Sequence, residues 1–419
     1  MTGNLPTINI EQLYRKPSLL KDARNRVDRL KQCYNELFGS SSQVRIFTAP
    51  GRTEIGGNHT DHQQGCVLAA AVSLDALAVA APNGKNVIEV HSDGYPEFVV
   101  SLDSFAPHIE ELGTSAAMVR GVADYFNSNS WSVGGFNCVI SSQVPSGSGL
   151  SSSAAFEVLI GTIFNGLFNG GRIAPLEIAK AGQYAENKHF GKPSGLMDQT
   201  ASAVGGVSSI DFEVPDSPKV ERISFDFNDY GYALCVIDTG VYHHDLVDAY
   251  ASIPSEMHKV ASFFGKSKLR EVSQTEFFNT LPSMVGVIPD RALLRAMHFF
   301  EDSQRAIDQT KALKDGNITR FLSLINESGR SSWMLLQNIY PDDAGAEQPA
   351  SLALAYCNHI LGGDGACRIH GGGFAGTIQA FVPLDFLDSF KRNIEKVTGE
   401  GSCMILSIRD IGAAKISHR

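Results

Sequence analysis

The sequence predicts an α+β chain organised as two domains, and three observations predict it. Strand-like and helix-like segments mix along the whole length, neither segregated nor strictly alternating. The 419 residues suit two large domains, or up to three of ordinary size. Apolar residues make up 43% and charged residues 19%, enough to bury a sizeable core and too apolar for a disordered polyelectrolyte.

The elements follow in order. Residues 19–38 carry apolar side chains at roughly helical spacing among charges, and Gly39 stops the run. A short strand beginning at 44–47 is expected to end at Pro50-Gly51. Small and apolar residues over 67–81 suit a buried strand, and 87–90 with 96–102 read as hairpin arms around Asp93-Gly94. Residues 115–126 read as a helix and 134–140 as a strand feeding a glycine- and serine-rich turn over 145–153. The next stretch, 154–168, is apolar almost all round, the mark of a helix inside a domain. Gly170-Gly171 ends it. Pro175 opens another helix, since its missing N–H costs nothing at the first position. The Pro-bearing stretch 214–221 reads as a hairpin or linker and 232–237 as a buried strand. Residues 245–330 are mostly helical in pattern, with breaks expected at Pro254, Pro282 and Pro289. A glycine-rich turn over 362–376, a strand over 377–382, a helix over 384–397 and a strand over 402–408 complete the pattern. The expected domains are 1–220 and 221–419.

Composition excludes several function classes. Lys+Arg is 35 and Asp+Glu is 45, a net charge of −10 that repels nucleic acid and anionic lipid. A phosphate-bearing ligand must therefore be held by a local site. No run of 18 apolar residues exists, and 1–17 lacks the apolar stretch of a secretory leader. Seven cysteines are scattered without a CxxC, so neither a disulfide framework nor a zinc cassette is indicated. A reduced, soluble, cytoplasmic protein is expected.

Four segments carry chemistry. In Pro145-Ser-Gly-Ser-Gly-Leu-Ser-Ser-Ser-Ala-Ala155 a strand feeds two glycines and the serine-rich start of a buried helix. Glycines let backbone N–H groups approach an anion, and the helix start adds unpaired N–H groups and its positive dipole end. No GxxxxGK[ST] is present, which excludes a Walker-type loop. Ala49-Pro-Gly-Arg-Thr-Glu-Ile-Gly-Gly-Asn-His-Thr-Asp-His62 crowds Arg52, Glu54, His59, Asp61 and His62 into a turn between strands. His59-x-Asp61-His62 invites a metal reading, but no further ligand cluster stands at compatible spacing; a hydroxylated ligand suits these groups better. Gly371-Gly-Gly-Phe-Ala-Gly376 is a turn that lets a backbone or nucleotide come close. In Lys192-Pro-Ser-Gly-Leu-Met-Asp-Gln199, Asp198 falls at the start of a helix over 197–204, where the dipole keeps a carboxylate ionised.

Together these segments resemble the galactokinase branch of the GHMP small-molecule kinases, in order and approximate spacing over most of the chain. The resemblance implies an N-terminal domain like the second domain of ribosomal protein S5, a ferredoxin-like C-terminal domain, and an active site between them. It implies ATP as co-substrate and Mg²⁺ as cofactor. Pro145, Gly147, Ser148, Gly149, Leu150, Ser151, Ser152, Ser153 and Ala154 match the nucleotide-phosphate motif. Asp198 matches the catalytic base, and Arg52 the arginine that orients the sugar hydroxyl. Asn58, His59, Asp61, Gly195 and Tyr250, the last in His243-His-Asp-Leu-Val-Asp-Ala-Tyr250, match sugar-contacting positions. Ser152 and Glu186 match the Mg²⁺ neighbourhood, with the choice among the serines open.

The chain departs from the family pattern in several places. Asn58 stands where a glutamate that reaches the sugar's C6 hydroxyl is usual, and Glu54 where an asparagine is usual. Ser194 replaces a cysteine, His370 begins the third motif, and Ser115 and Ala116 replace an aromatic near the adenine. The implied reaction is phosphorylation of the anomeric hydroxyl of galactose. The alternatives are a kinase of galacturonate or N-acetylgalactosamine, motivated by Asn58, and a catalytically silent galactose sensor. Mevalonate and homoserine kinases lack the 49–62 signature. Oligomeric state stays open, monomer included.

Overall fold

The computed structural model describes residues 4–14, 17–240, 246–374 and 376–417. The chain opens with β1 (Thr7–Ile8), the single turn α1 (Ile10–Leu13) and the long helix α2 (Pro17–Phe38). β2 (Arg45–Gly56) pairs antiparallel with β3 (Cys66–Pro82), and β4 (Val87–Ser92) with β5 (Phe98–Ser101). Next come α3 (Ser115–Ser128), β6 (Phe136–Ser142), α4 (Ser152–Phe168), α5 (Pro175–Tyr184) and α6 (Met197–Val204). The hairpin β7 (Val207–Asp211) and β8 (Lys219–Ile223) precedes β9 (Tyr232–Asp238). A helical stretch follows: α7 (Val247–Phe263), α8 (Gln274–Met284), α9 (Asp290–Lys314), α10 (Ile318–Ser331) and α11 (Pro349–Leu361). β10 (Ala366–Ile369), β11 (Thr377–Pro383), α12 (Leu387–Thr398), β12 (Cys403–Leu406) and β13 (Ala414–Ile416) complete it.

The larger sheet runs β1-β13-β2-β3-β6-β4-β5, with β7 along the other half of β3 and β8 beside β7. The smaller sheet is antiparallel in the order β10-β11-β9-β12, the layout of a ferredoxin-like domain. β3 is central and mostly alanine and other small residues because helices cover it on both faces; a strand buried on both sides reads as a continuous apolar run. α4 is apolar all round for the same reason: Val158, Leu159, Ile163 and Phe164 pack with Phe47, Phe126 and Phe136 in one cluster. Burying each such side chain stabilises by about 1.5–3 kcal/mol.

Within this sheet Asp75 of β3 is fully buried. It accepts from Arg26 of α2 at 2.9 Å, from Arg409 at 2.7 Å and from Thr48 at 2.8 Å, and also binds the Tyr14 hydroxyl. Burial pushes its carboxyl up, but the two arginines outweigh this and hold it below its ordinary value.

Several expectations need correction. β2 does not end at Pro50-Gly51; it continues to Gly56, because register irregularities between Pro50 and Arg52 and between Glu54 and Gly56 absorb the proline as bulges. Pro254 and Pro282 lie inside α7 and α8 and break neither. The burial of Ile253, Met257, Val260 and Ala261 holds α7 together across the missing hydrogen bond. Pro289 does mark a boundary, as the N-cap of α9. The 362–376 stretch contains β10, so it is a strand flanked by turns. The final helix starts at Leu387 and the strand before β13 spans Cys403–Leu406.

The limit expected at residue 220 falls inside β8, which stays in the larger sheet, so we propose the link between β8 and β9 as the domain limit, with β13 crossing back to lie between β1 and β2. Among the described residues no helix is long and apolar enough to cross a membrane. The seven cysteines are free, all buried except the half-buried Cys33.

Candidate active site

The phosphate side is built from one stretch of chain. Between β6 and α4, the fully buried Leu150 anchors the loop in the core, and Ser148 Oγ donates to the Pro145 carbonyl at 2.8 Å. Gly149 (φ +72°) and Ser151 (φ +58°) are both left-handed, which turns the chain abruptly into α4. The first turn of α4 carries no acidic residue, so its unpaired N–H groups and positive dipole end are left for an anion.

Arg52 of β2 joins this loop to α6. Its backbone N–H donates to the Leu150 carbonyl at 3.0 Å and its Nη1 to the Gly149 carbonyl. Its Nε donates to Asp198 Oδ1 at 2.7 Å and its Nη2 to Oδ2, a bidentate pair. Ser151 Oγ also donates to Asp198 Oδ2. Burial pushes the Asp198 carboxyl up, but Arg52 and Ser151 outweigh it and hold the group below the usual carboxylate value. Asp198 is thus ionised and aimed, one residue into α6 as the sequence predicts.

Beside it, Glu186 sits in a π-helical turn over Ala185–Phe190, a local widening often found at functional sites. Its Oε1 accepts from Lys192 Nζ at 3.0 Å and Ser153 Oγ at 3.2 Å, and its Oε2 from Gln199 Nε2 at 3.1 Å. Of the three serines, Ser153 reaches Glu186 and Ser151 reaches Asp198. Buried Glu157 lies close by, with Oε1 lacking a protein partner; burial and then the Glu186 charge push its carboxyl well up. An oxygen-only set with an unpartnered carboxylate oxygen fits a hard divalent cation such as Mg²⁺.

The sugar side draws on distant segments. Asp61 opens a 3₁₀ turn (Asp61–Gln63) and lies so close to Gly195 that a methyl there would strike its carboxylate. Burial, with the Asp198 charge adding to it, pushes Asp61 up to about 6. His59 (φ +57°) bonds through Nε2 to the Gly372 carbonyl at 2.9 Å, so this nitrogen carries the proton. Tyr250 of α7 lays its ring over Gly372 and donates to the Gly373 carbonyl at 3.1 Å. Residues 243–245 of its segment, and Ala375 of the third glycine cluster, lie outside the described residues. Asn58 is brought to the same place but is only 1% exposed, its carboxamide turned into the protein. Among the described residues no three His, Cys, Asp or Glu side chains are grouped to hold a metal.

Sequence reasoning missed Arg368, Asn338, His298 and Asp302, all buried behind this turn. Arg368 had a signal: an arginine in an otherwise apolar strand, Ala-Cys-Arg-Ile, demands a buried counter-charge. The others had none.

Comparison with known proteins gives two family matches and a set of similar folds. Residues 32–82 match the galactokinase galactose-binding signature, and residues 112–206 match the GHMP kinases N-terminal domain. The chain carries both the galactose-binding signature of galactokinases and the N-terminal domain of GHMP kinases. Its fold is similar to that of Lactococcus lactis galactokinase solved with galactose, at a TM-score of 0.80 and 23% identity, covering 93% of this chain and 99% of that one. It is also similar to a D-glycero-D-manno-heptose 1-phosphate kinase from Bacteroides thetaiotaomicron (TM-score 0.58, 18% identity, 90% and 99% covered). Methanococcus jannaschii mevalonate kinase shares the fold at a TM-score of 0.59 and 15% identity, with 89% and 100% covered. Both matched segments carry the site: the first contains Arg52, Asn58, His59 and Asp61, the second the phosphate loop, Glu186 and Asp198. The kinase thus acts as a phosphotransferase on a sugar hydroxyl.

Proposed function

We propose that this kinase transfers the γ-phosphoryl group of ATP to the anomeric hydroxyl of galactose, giving galactose 1-phosphate and ADP. The observation that carries this reading is the Arg52–Asp198 pair, bonded on one side to the phosphate loop through Gly149 and Ser151 and flanked on the other by Asp61 and Gly195. A hydroxyl held there lies between a carboxylate and an anion cradle. The galactose bound to the Lactococcus enzyme supports the choice of sugar.

Asp198 accepts the hydrogen of the attacking hydroxyl. Held low by Arg52, it is a weak base, so its larger contribution is orientation; a loose phosphoryl-transfer transition state tolerates that. Arg52 fixes both the carboxylate and the loop carbonyl, and its charge faces the negative charge developing on the transferred group. The N–H groups at the start of α4 hold phosphate oxygens, with Pro145, Gly147, Ser148, Leu150 and Ala154 shaping the loop. Ser152, Ser153 and Glu186 would hold Mg²⁺, which when bound neutralises phosphate charge. His59, Asp61 and Tyr250 line the sugar's side. The acidic net charge supports small-molecule partners, with no nucleic acid or membrane, in a cytoplasmic setting.

The test is a panel of galactose, galacturonate, N-acetylgalactosamine and glucose assayed with ATP and Mg²⁺. Galactose is expected to be turned over fastest. Rapid turnover of another member beside none of galactose would replace the sugar, and silence on all of them would replace the function.

A further inference from the structure

Asn58 is hydrogen-bonded at every polar atom. Its N–H donates to Asp302 Oδ2 at 2.8 Å, and its carbonyl accepts from His298 Nε2 at 2.9 Å, both on α9. Its Nδ2 donates to Glu54 Oε1 at 2.9 Å and to the Gly371 carbonyl at 2.6 Å. Its Oδ1 accepts from Asn338 Nδ2 at 2.8 Å and from Ser332 Oγ at 3.4 Å. A carboxamide has two N–H donors, and both face protein acceptors. No donor is left for a sugar hydroxyl.

The partners form a frame around the sugar turn. Glu54 makes a buried ion pair with Arg368 of β10, whose Nη1 also donates to the Ile55 carbonyl at 2.8 Å, tying β10 to β2. The backbone N–H of Phe374 donates to the Asn338 carbonyl at 2.5 Å, and Asn338 Nδ2 also reaches the Gly372 carbonyl at 3.2 Å. The residue after Asn58 is His59. A histidine in the left-handed region is strained and persists only where its surroundings impose it. His59 is pinned to the same 371–374 loop that Asn58 and Asn338 grip, and on which Tyr250 rests.

We infer that Asn58 and Asn338 are positioning residues that set the sugar-recognition turn 58–62 against the glycine-rich loop 371–374, and that Asn58 does not itself read the sugar. This deepens the proposed kinase function and rests on it. With a carboxylate at position 54, the geometry requires an amide at position 58. A carboxylate there would point oxygens at the Glu54 carboxylate and the Gly371 carbonyl, leaving like charges face to face in a buried site. Exchanging the two chemistries, with an amide at 54 and a carboxylate at 58, returns a donor to the contact and keeps one carboxylate in the cluster for Arg368.

The experiment compares the wild type with Asn338→Ala, Asn58→Asp and the double variant Glu54→Gln/Asn58→Asp. Steady-state kinetics use galactose, 6-deoxygalactose and galacturonate, and melting temperatures check folding. Asn58→Asp is expected to raise the sugar KM by about tenfold or more, with the ATP KM within about twofold. The double variant is expected to recover most of the loss. All three sugars should lose equally, because a displaced turn weakens them alike. A loss confined to sugars bearing one C6 substituent would show that Asn58 reads that substituent and would overturn the inference. Hydrogen exchange needs no substrate: segments 58–62 and 371–374 should exchange faster in Asn338→Ala. Unchanged protection there defeats the inference even if the wild type proves to phosphorylate no sugar, an outcome that would separately defeat the proposed function.

Discussion

The two sides of the active site are made in different ways. The phosphate side is one continuous stretch, 145–154, whose chemistry lies in main-chain N–H groups, three left-handed residues and a helix start. The sugar side gathers Arg52 to Asp61 from β2 and its turn, Gly195 and Asp198 from the start of α6, Tyr250 from α7, and Asn338 with 368–374 from the C-terminal half. A cradle of backbone groups needs only local sequence. A constellation of side chains needs the whole fold, and its specificity rests on a buried polar frame in which each member must find its partner.

Asp198 touches both sides, so its loss should be the largest. Asp198→Asn is expected to lower kcat by at least ~10²-fold in a steady-state assay. A near-normal turnover would remove it from the mechanism and leave the two sides uncoupled. Gly149→Ala should separate them. At φ +72° a Cβ is strained, and it would also come within 2.8 Å of His370 Nδ1 and of Thr377 Oγ1. The expected result is an ATP KM raised about tenfold, with a stability loss of about 1–2 kcal/mol by denaturant titration and little change in sugar affinity. An equal loss of sugar affinity would break the contrast.

The smallest effect concerns pH. Asp61 stands at about 6 against an ordinary 3.8, raised first by burial. As pH falls from 8 to 5 it gains a proton, and a sugar hydroxyl loses a charged acceptor. The sugar KM should therefore rise a few-fold through pH 6 while the ATP KM stays level, and Asp61→Asn should flatten that inflection. The stability sign is opposite to that of a paired carboxylate. With its folded pKa above its unfolded value, Asp61 contributes stability that is present below about pH 4 and lost as pH rises through about 6. Asp61→Asn should accordingly narrow the difference in melting temperature between pH 4 and pH 7.

The same contrast explains what the sequence made legible. The helices at 19–38, 154–168 and 197–204 and the hairpin around Asp93-Gly94 follow from periodicity and turn residues, and the structure bears them out. The phosphate loop was readable for the same local reason. Proline misled three times, always by suggesting a break: Pro50 passes through a bulged strand, and Pro254 and Pro282 stay within helices, because tertiary packing outweighed a single missing hydrogen bond. At Asn58 the motif position suggested a sugar contact, whereas the hydrogen bonds that define its surroundings come from residues 54, 298, 302, 332, 338 and 371. Apart from Glu54, nothing near Asn58 in the chain announces them.

Asp75 has a consequence for how the molecule assembles. Its two arginines come from positions 26 and 409, separated by most of the chain. A carboxylate sealed in the interior without its counter-ions is costly by several kcal/mol, so enclosure of Asp75 is most favourable once both arginines are in place. Sealing the larger sheet is then a concerted event that waits for both ends of the polypeptide to meet. The loop entropy of that meeting is lost before the contacts form, so refolding from denaturant is expected to be slow, with the meeting of the ends as its rate-limiting step.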